Sequence, residues 1–116
     1  MHGRQAVRSY VASLGEEAHE WLLALYVDSE LGLLAVDTLA RGDVSSCKVP
    51  IWRIINHGHL LKASAFILVH NHPSGSPLAS MADIRTTQLL QEIGRDAELP
   101  LLNHFIIAGE DMWIIC

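Results

Sequence analysis

A chain of 116 residues, half of them apolar, has the length of one domain and enough apolar side chains to build a core. Its formal charge of −5, with Lys48 and Lys62 as the only lysines, leaves no basic stripe to follow a phosphate backbone, so direct nucleic-acid binding is not expected. The longest uninterrupted apolar run, Trp21 to Val27, falls far short of the roughly 20 residues that cross a bilayer; Arg4, Gln5, Arg8 and Ser9 interrupt any leader-like segment, so no membrane contact and a cytoplasmic location are expected.

Ala6, Val7, Tyr10, Val11 and Leu14 recur at helical spacing, which predicts a first helix over residues 3 to 14 with Gly15 as its stop. From Glu20 to Asp28 the run is apolar on both faces and reads as a strand. Asp28, Ser29, Glu30 and Gly32 turn it into a second strand, Leu33 to about Arg41, making a hairpin. Pro50 suits the first turn of a helix, and Ile51, Ile54, Ile55 and Leu61 give that helix an apolar face through about Lys62. Ala65 to Val69 is β-branched and apolar, a buried strand that carries His70 and His72 at its end. After a loop at 73 to 79, Ser80 is a good N-cap for a helix running to about Asp96. Two short strands, His104 to Ala108 and Met112 to Ile115, close the chain. The order α, β, β, α, β, α, β, β predicts a mixed sheet flanked by helices, of the α/β or α+β class. The short terminal strand, as an unprotected sheet edge, together with the high apolar fraction, suggests a homo-oligomer.

The chemistry concentrates in His70-Asn71-His72-Pro73-Ser74-Gly75, followed by Ser80 and Asp83. Two histidines at i and i+2 of a strand point to one face. Pro73 and Gly75 then turn the chain so that Ser80 and Asp83 return toward them from the start of the next helix. Two imidazoles and one carboxylate leave the fourth position of a tetrahedral zinc open for water, as a catalytic site requires. Cys47 and Cys116 are too few and too far apart for a thiolate cage or a disulfide framework.

Each element of this reading has a plainer one beside it. Ser80-x-x-Asp83 is by itself a helix capping box. His57-Gly58-His59 repeats the spacing of the strand pair, but in a helix residues two apart point about 200° apart around the axis, so that pair is not expected to share a metal. His2 and His19 read as surface residues. A base that is not itself a ligand is needed to move the proton of an activated water, and Glu20, at the opening of the first strand, is the candidate. Glu16 and Glu17 fall at a solvated helix end and Glu30 in the hairpin turn, although local sequence alone favours an ordinary exposed carboxylate at Glu20 too. A Gly-x-Ser-x-Gly elbow, a His-Glu-x-x-His pair and the His-x-Glu with Pro-Cys-x-x-Cys of nucleobase deaminases are all missing from the sequence.

His70-x-His72-Pro73 followed by Ser80-x-x-Asp83, with an upstream Glu, resembles the JAMM (MPN) zinc metalloprotease signature. The wording His-Asn-His-Pro-Ser-Gly is similar to the bacterial RadC branch, and the likeness extends over roughly residues 16 to 110 as one domain, through the Glu20 strand, the Pro50 helix and Leu101-Leu102-Asn103-His104. The resemblance implies an MPN, cytidine-deaminase-like fold and one Zn2+ per chain held by His70, His72 and Asp83. It further implies Glu20 as general base, Ser80 as a hydroxyl donor to the oxyanion, and a peptide or protein substrate. Asn103 departs from the Asp usual in the RadC branch, and longer relatives carry an N-terminal helix-hairpin-helix segment before the point where this chain begins. Relatives in the wider family that have lost the metal serve as scaffolds, and the alternative reading of this chain is a catalytically silent interaction module beside DNA-repair or mobile-element machinery; the presence of all five site residues here argues for the enzyme.

Overall fold

Seven apolar residues in succession leave neither side of a strand suited to water, and Trp21–Val27 (β1) is buried at every position, with neighbours hydrogen-bonded on both edges. This computed structural model describes residues 20–41, 49–73, 75 and 78–116. The helix expected over 3 to 14, its Gly15 stop, His2, Glu16, Glu17, His19 and Cys47 lie outside the described residues.

The chain leaves β1 through a turn built on Asp28, whose Oδ1 accepts the backbone N–H of Glu30 at 2.9 Å and of Gly32 at 2.8 Å. A Cβ at 32 would stand 2.7 Å from Asp28 Oδ2, so a larger residue there would push aside the carboxylate that holds the turn. β2 (Leu33–Arg41) then pairs antiparallel with β1, forming the expected hairpin. Helix α1 (Ile51–Leu60) buries Ile54, Ile55 and Gly58. β3 (Ala65–Asn71) returns along the free edge of β1, antiparallel to it, with Leu22 opposite His70. Helix α2 (Met81–Asp96) carries the chain to β4 (Leu101–Ala108), which lies parallel to β3, and β5 (Asp111–Ile114) adds antiparallel at the edge. The sheet order is β2-β1-β3-β4-β5, a mixed five-stranded sheet with two described helices, the α+β architecture expected from the element order.

Both described helices pack on one face. Ile54 and Ile55 of α1 and Leu90 of α2 join Leu22, Ala24, Tyr26, Phe66 and Leu68 in a single buried cluster. Leu99, fully buried, is the wedge between them: a Cβ on Gly58 would stand 2.4 Å from its Cδ2, and one on Gly94 would stand 2.5 Å from its carbonyl oxygen. The opposite face gathers Trp21, Leu23, Leu25, Ile67, Val69 and Phe105 into a second cluster. No helix among the described residues is long and apolar enough to cross a membrane.

Two boundary differences bear on the site. β4 begins at Leu101 rather than His104, because Pro100 offers its carbonyl to the N–H of Phe66 and so starts the ladder instead of blocking it. β3 ends at Asn71, so His72 stands one residue beyond the strand, although its own N–H still bonds Ile107 O at 2.8 Å in continuation of the β3–β4 ladder.

Candidate metal centre

The end of β3 is held from both sides. On one, Asn71 Oδ1 accepts the backbone N–H of Trp21 at 2.8 Å; on the other, the His72 N–H reaches β4. The chain then turns, with Gly75 at φ +83°, a left-handed conformation that glycine adopts without strain, and its N–H bonded to the carbonyl of His72 at 3.0 Å. Ser80 follows as the N-cap of α2 and makes a complete capping box: its Oγ accepts from the Asp83 N–H at 3.0 Å, and its own N–H donates to Asp83 Oδ2 at 2.9 Å.

The same Oδ2 faces the two imidazoles. It lies 3.6 Å from His70 Nε2 and 3.7 Å from His72 Nε2, and the two Nε2 atoms are 2.7 Å apart. His70, His72 and Asp83 are the group of His, Cys, Asp and Glu among the described residues whose ligand atoms converge closely enough to hold a metal ion. Capping and convergence are therefore one geometry, and the two readings of Ser80-x-x-Asp83 do not compete.

The donor set suits a borderline cation. Two imidazole nitrogens and a carboxylate oxygen match a three-ligand zinc site with one open position, and zinc bonds of about 2.0–2.2 Å place ligand atoms roughly 3.3 Å apart. The observed triangle of 2.7, 3.6 and 3.7 Å lies on either side of that spacing. His70 is buried and held neutral, its pKa lowered to about 4 by the cost of desolvating a charged ring, with the Asp83 carboxylate opposing and His72 reinforcing the shift. Burial pushes the Asp83 carboxyl up, but the Ser80 N–H, the neighbouring His70 and the Ser80 hydroxyl together hold it below its ordinary value. A neutral imidazole and an ionised carboxylate are the forms that bind metal.

Glu20 stands half-buried at the entrance to β1. It lies two residues before Leu22, the residue of β1 that pairs with His70.

Two residues of this corner escaped the sequence reading. His104 Nε2 lies 2.9 Å from His70 Nδ1, and Thr87 Oγ1 lies 2.7 Å from His104 Nδ1. The available signals were the Asp83-x-x-x-Thr87 spacing, which puts both on one side of a helix, and the parallel β3–β4 pairing, which sequence alone does not supply. Asn103, the departure noted above, alternates to the other face of β4 and donates its side-chain N–H to Cys116 O at 3.0 Å.

His57 and His59 are drawn to different partners. His57 Nδ1 meets Asp37 Oδ2 at 3.2 Å, within an ion pair that Asp37 makes with Arg53, whereas His59 Nε2 lies 2.7 Å from Ala97 O.

A model of the RadC-like JAB domain matches residues 1–115. The chain is 39% identical to a UPF0758 protein of Bordetella petrii over 103 residues, covering 89% of this chain and 46% of that one. It is 38% identical to one of Bordetella avium over 115 residues, covering 93% and 51%, and 38% identical to one of Ectopseudomonas mendocina over 110 residues, covering 93% and 49%. The chain thus spans about half the length of the curated relatives it matches.

Proposed function

The chain belongs to the RadC family, and from that membership we propose that it is a zinc-dependent hydrolase of amide bonds, a peptidase or isopeptidase. The observation that carries this reading is the convergence of His70 Nε2, His72 Nε2 and Asp83 Oδ2 from a strand end and a helix start. Zinc held there would supply a water whose pKa is lowered to about 7 and a Lewis acid for the substrate carbonyl.

Glu20 takes the proton from the attacking water and delivers it to the leaving nitrogen. Its place at the mouth of β1, two residues before the strand partner of His70, supports this role. Ser80 Oγ accepts from the Asp83 N–H, and its hydroxyl proton, which supports the Asp83 carboxylate in the free protein, turns to the substrate oxyanion as charge develops there. Asp83 orients Ser80 while facing the histidines, so the hydroxyl donor and the ligand carboxylate move as one unit. The surrounding buried apolar residues of β1 and β3 exclude water from behind the site.

Metal analysis of the purified protein, combined with a fluorogenic peptide and isopeptide library, tests the proposal. About one zinc per chain together with amide cleavage supports it. No zinc after loading removes it and assigns the domain to protein interaction instead.

A further inference from the structure

Thr87 and His104 take no part in the chemistry above, yet both are about 2% exposed and stand in line behind His70. The Thr87 hydroxyl lies 2.7 Å from the backbone carbonyl of Asp83 and 2.7 Å from His104 Nδ1. A carbonyl oxygen only accepts, and two bare oxygens at that distance repel, so the single hydroxyl proton goes to Asp83 O. Toward His104, Thr87 Oγ1 is then an acceptor, and His104 Nδ1 must carry a hydrogen.

Burial makes a charged ring at His104 costly, so its second nitrogen, Nε2, is bare. That bare Nε2 accepts from His70 Nδ1–H across 2.9 Å. A neutral His70 with its proton on Nδ1 has an unprotonated Nε2, the atom that faces His72 and Asp83.

We propose that Thr87 and His104 form a relay that fixes the tautomer of His70, holding its Nε2 as a lone pair aimed into the metal corner. They are positioning residues. The relay starts at the Asp83 carbonyl and ends opposite the Asp83 carboxylate, so one residue sets the proton order of the site from behind and lines it from the front. The benefit to metal binding rests on the zinc reading above; the tautomer does not.

Long-range 1H–15N NMR of the metal-free protein reads each ring directly. The expected pattern is Nδ1–H for both His70 and His104. Thr87→Val removes the acceptor of His104 Nδ1–H at nearly constant volume. His104 should then move its proton to Nε2 and drive His70 toward the Nε2–H form. Zinc affinity by chelator competition should fall about 10–100-fold, as for other residues that orient a ligand through a hydrogen bond. Thr87→Ser, which restores the hydroxyl, should recover both the tautomer and the affinity. A Thr87→Val protein that keeps His70 Nδ1–H, or a wild-type protein with His70 as Nε2–H, overturns the relay; the second result needs no variant to fold. Absence of zinc binding in the wild type overturns the metal reading, and the tautomers still decide the relay.

Discussion

Ser80 and Asp83 hold each other in both directions, N–H to carboxylate at 2.9 Å and N–H to hydroxyl at 3.0 Å, while the same carboxylate oxygen stands 3.6 Å from His70 Nε2. The two roles of Asp83 can be separated. Asp83→Asn keeps an oxygen that accepts from the Ser80 N–H but removes the negative charge. Its urea midpoint should stay close to wild type, with zinc affinity lowered at least tenfold as for a weakened ligand. Ser80→Ala should instead lose about 1 kcal/mol of stability, the usual cost of an N-cap, and retain the metal. Equal stability losses in both variants would mean that the carboxylate serves the helix alone.

Glu20 and His70 should fail differently. Glu20→Gln is expected to bind zinc as wild type does and to lose amide cleavage by about 100-fold or more, the scale of a missing general base. His70→Ala should lose the metal itself. Metal content by mass spectrometry alongside turnover separates the two, and zinc retained in His70→Ala would sink its assignment as a ligand.

Burial of neutral imidazoles ties stability to pH. His70 is lowered to about 4 and His104 to about 3, in both cases chiefly by desolvation, against an ordinary 6.5. As pH falls through 6.5 the unfolded chain takes up a proton at each ring and the folded chain does not. Stability is therefore full above about 6.5 and declines toward 4 for His70 and toward 3 for His104, with a limiting slope of about 1.4 kcal/mol per pH unit for each. Urea unfolding of chelator-treated protein at pH 7 and pH 5 should show a clear drop. A flat profile would contradict neutral burial of the pair.

The legible part of this molecule is the part written locally. His70, His72, Ser80 and Asp83 fall within one strand, turn and helix start, so their convergence follows from the two-residue period of a strand and a capping pattern. The β1–β2 hairpin was readable for the same reason, from Asp28 and Gly32. His104 lies 34 residues from His70 and Thr87 lies 17 from His104. Their meeting depends on β4 lying parallel to β3 in one register, a pairing that no local pattern encodes. The Asp37, Arg53 and His57 cluster was missed for the same reason, since it joins a strand to a helix across the core face. Pro100 misled in the other direction: it reads as a separator, yet it begins the β4 ladder through its carbonyl.

Two helix glycines should resist a change that helix propensity favours. Alanine is better than glycine in a helix by about 1 kcal/mol, but at Gly94 its Cβ would meet the backbone oxygen of Leu99 at 2.5 Å, and at Gly58 the buried end of the Leu99 side chain at 2.4 Å. Both variants should be destabilised, Gly94→Ala by about 2–3 kcal/mol and Gly58→Ala by less, because a side chain can yield where a strand approach cannot. Thermal unfolding of the two variants measures the order, and a stabilised Gly94→Ala would overturn the account of how α2 seats on Leu99.

The pairing of Leu22 with His70 and of His70 with Ile106 decides which side of the sheet receives the imidazoles. A slip of β3 by one residue against its neighbours would turn His70 and His72 to the face away from Ser80 and Asp83. An ion that needs all three ligands would bind only molecules whose central strands had closed in step, and by mass action would draw the population toward them. Metal capture and proofreading of strand alignment would then be a single event.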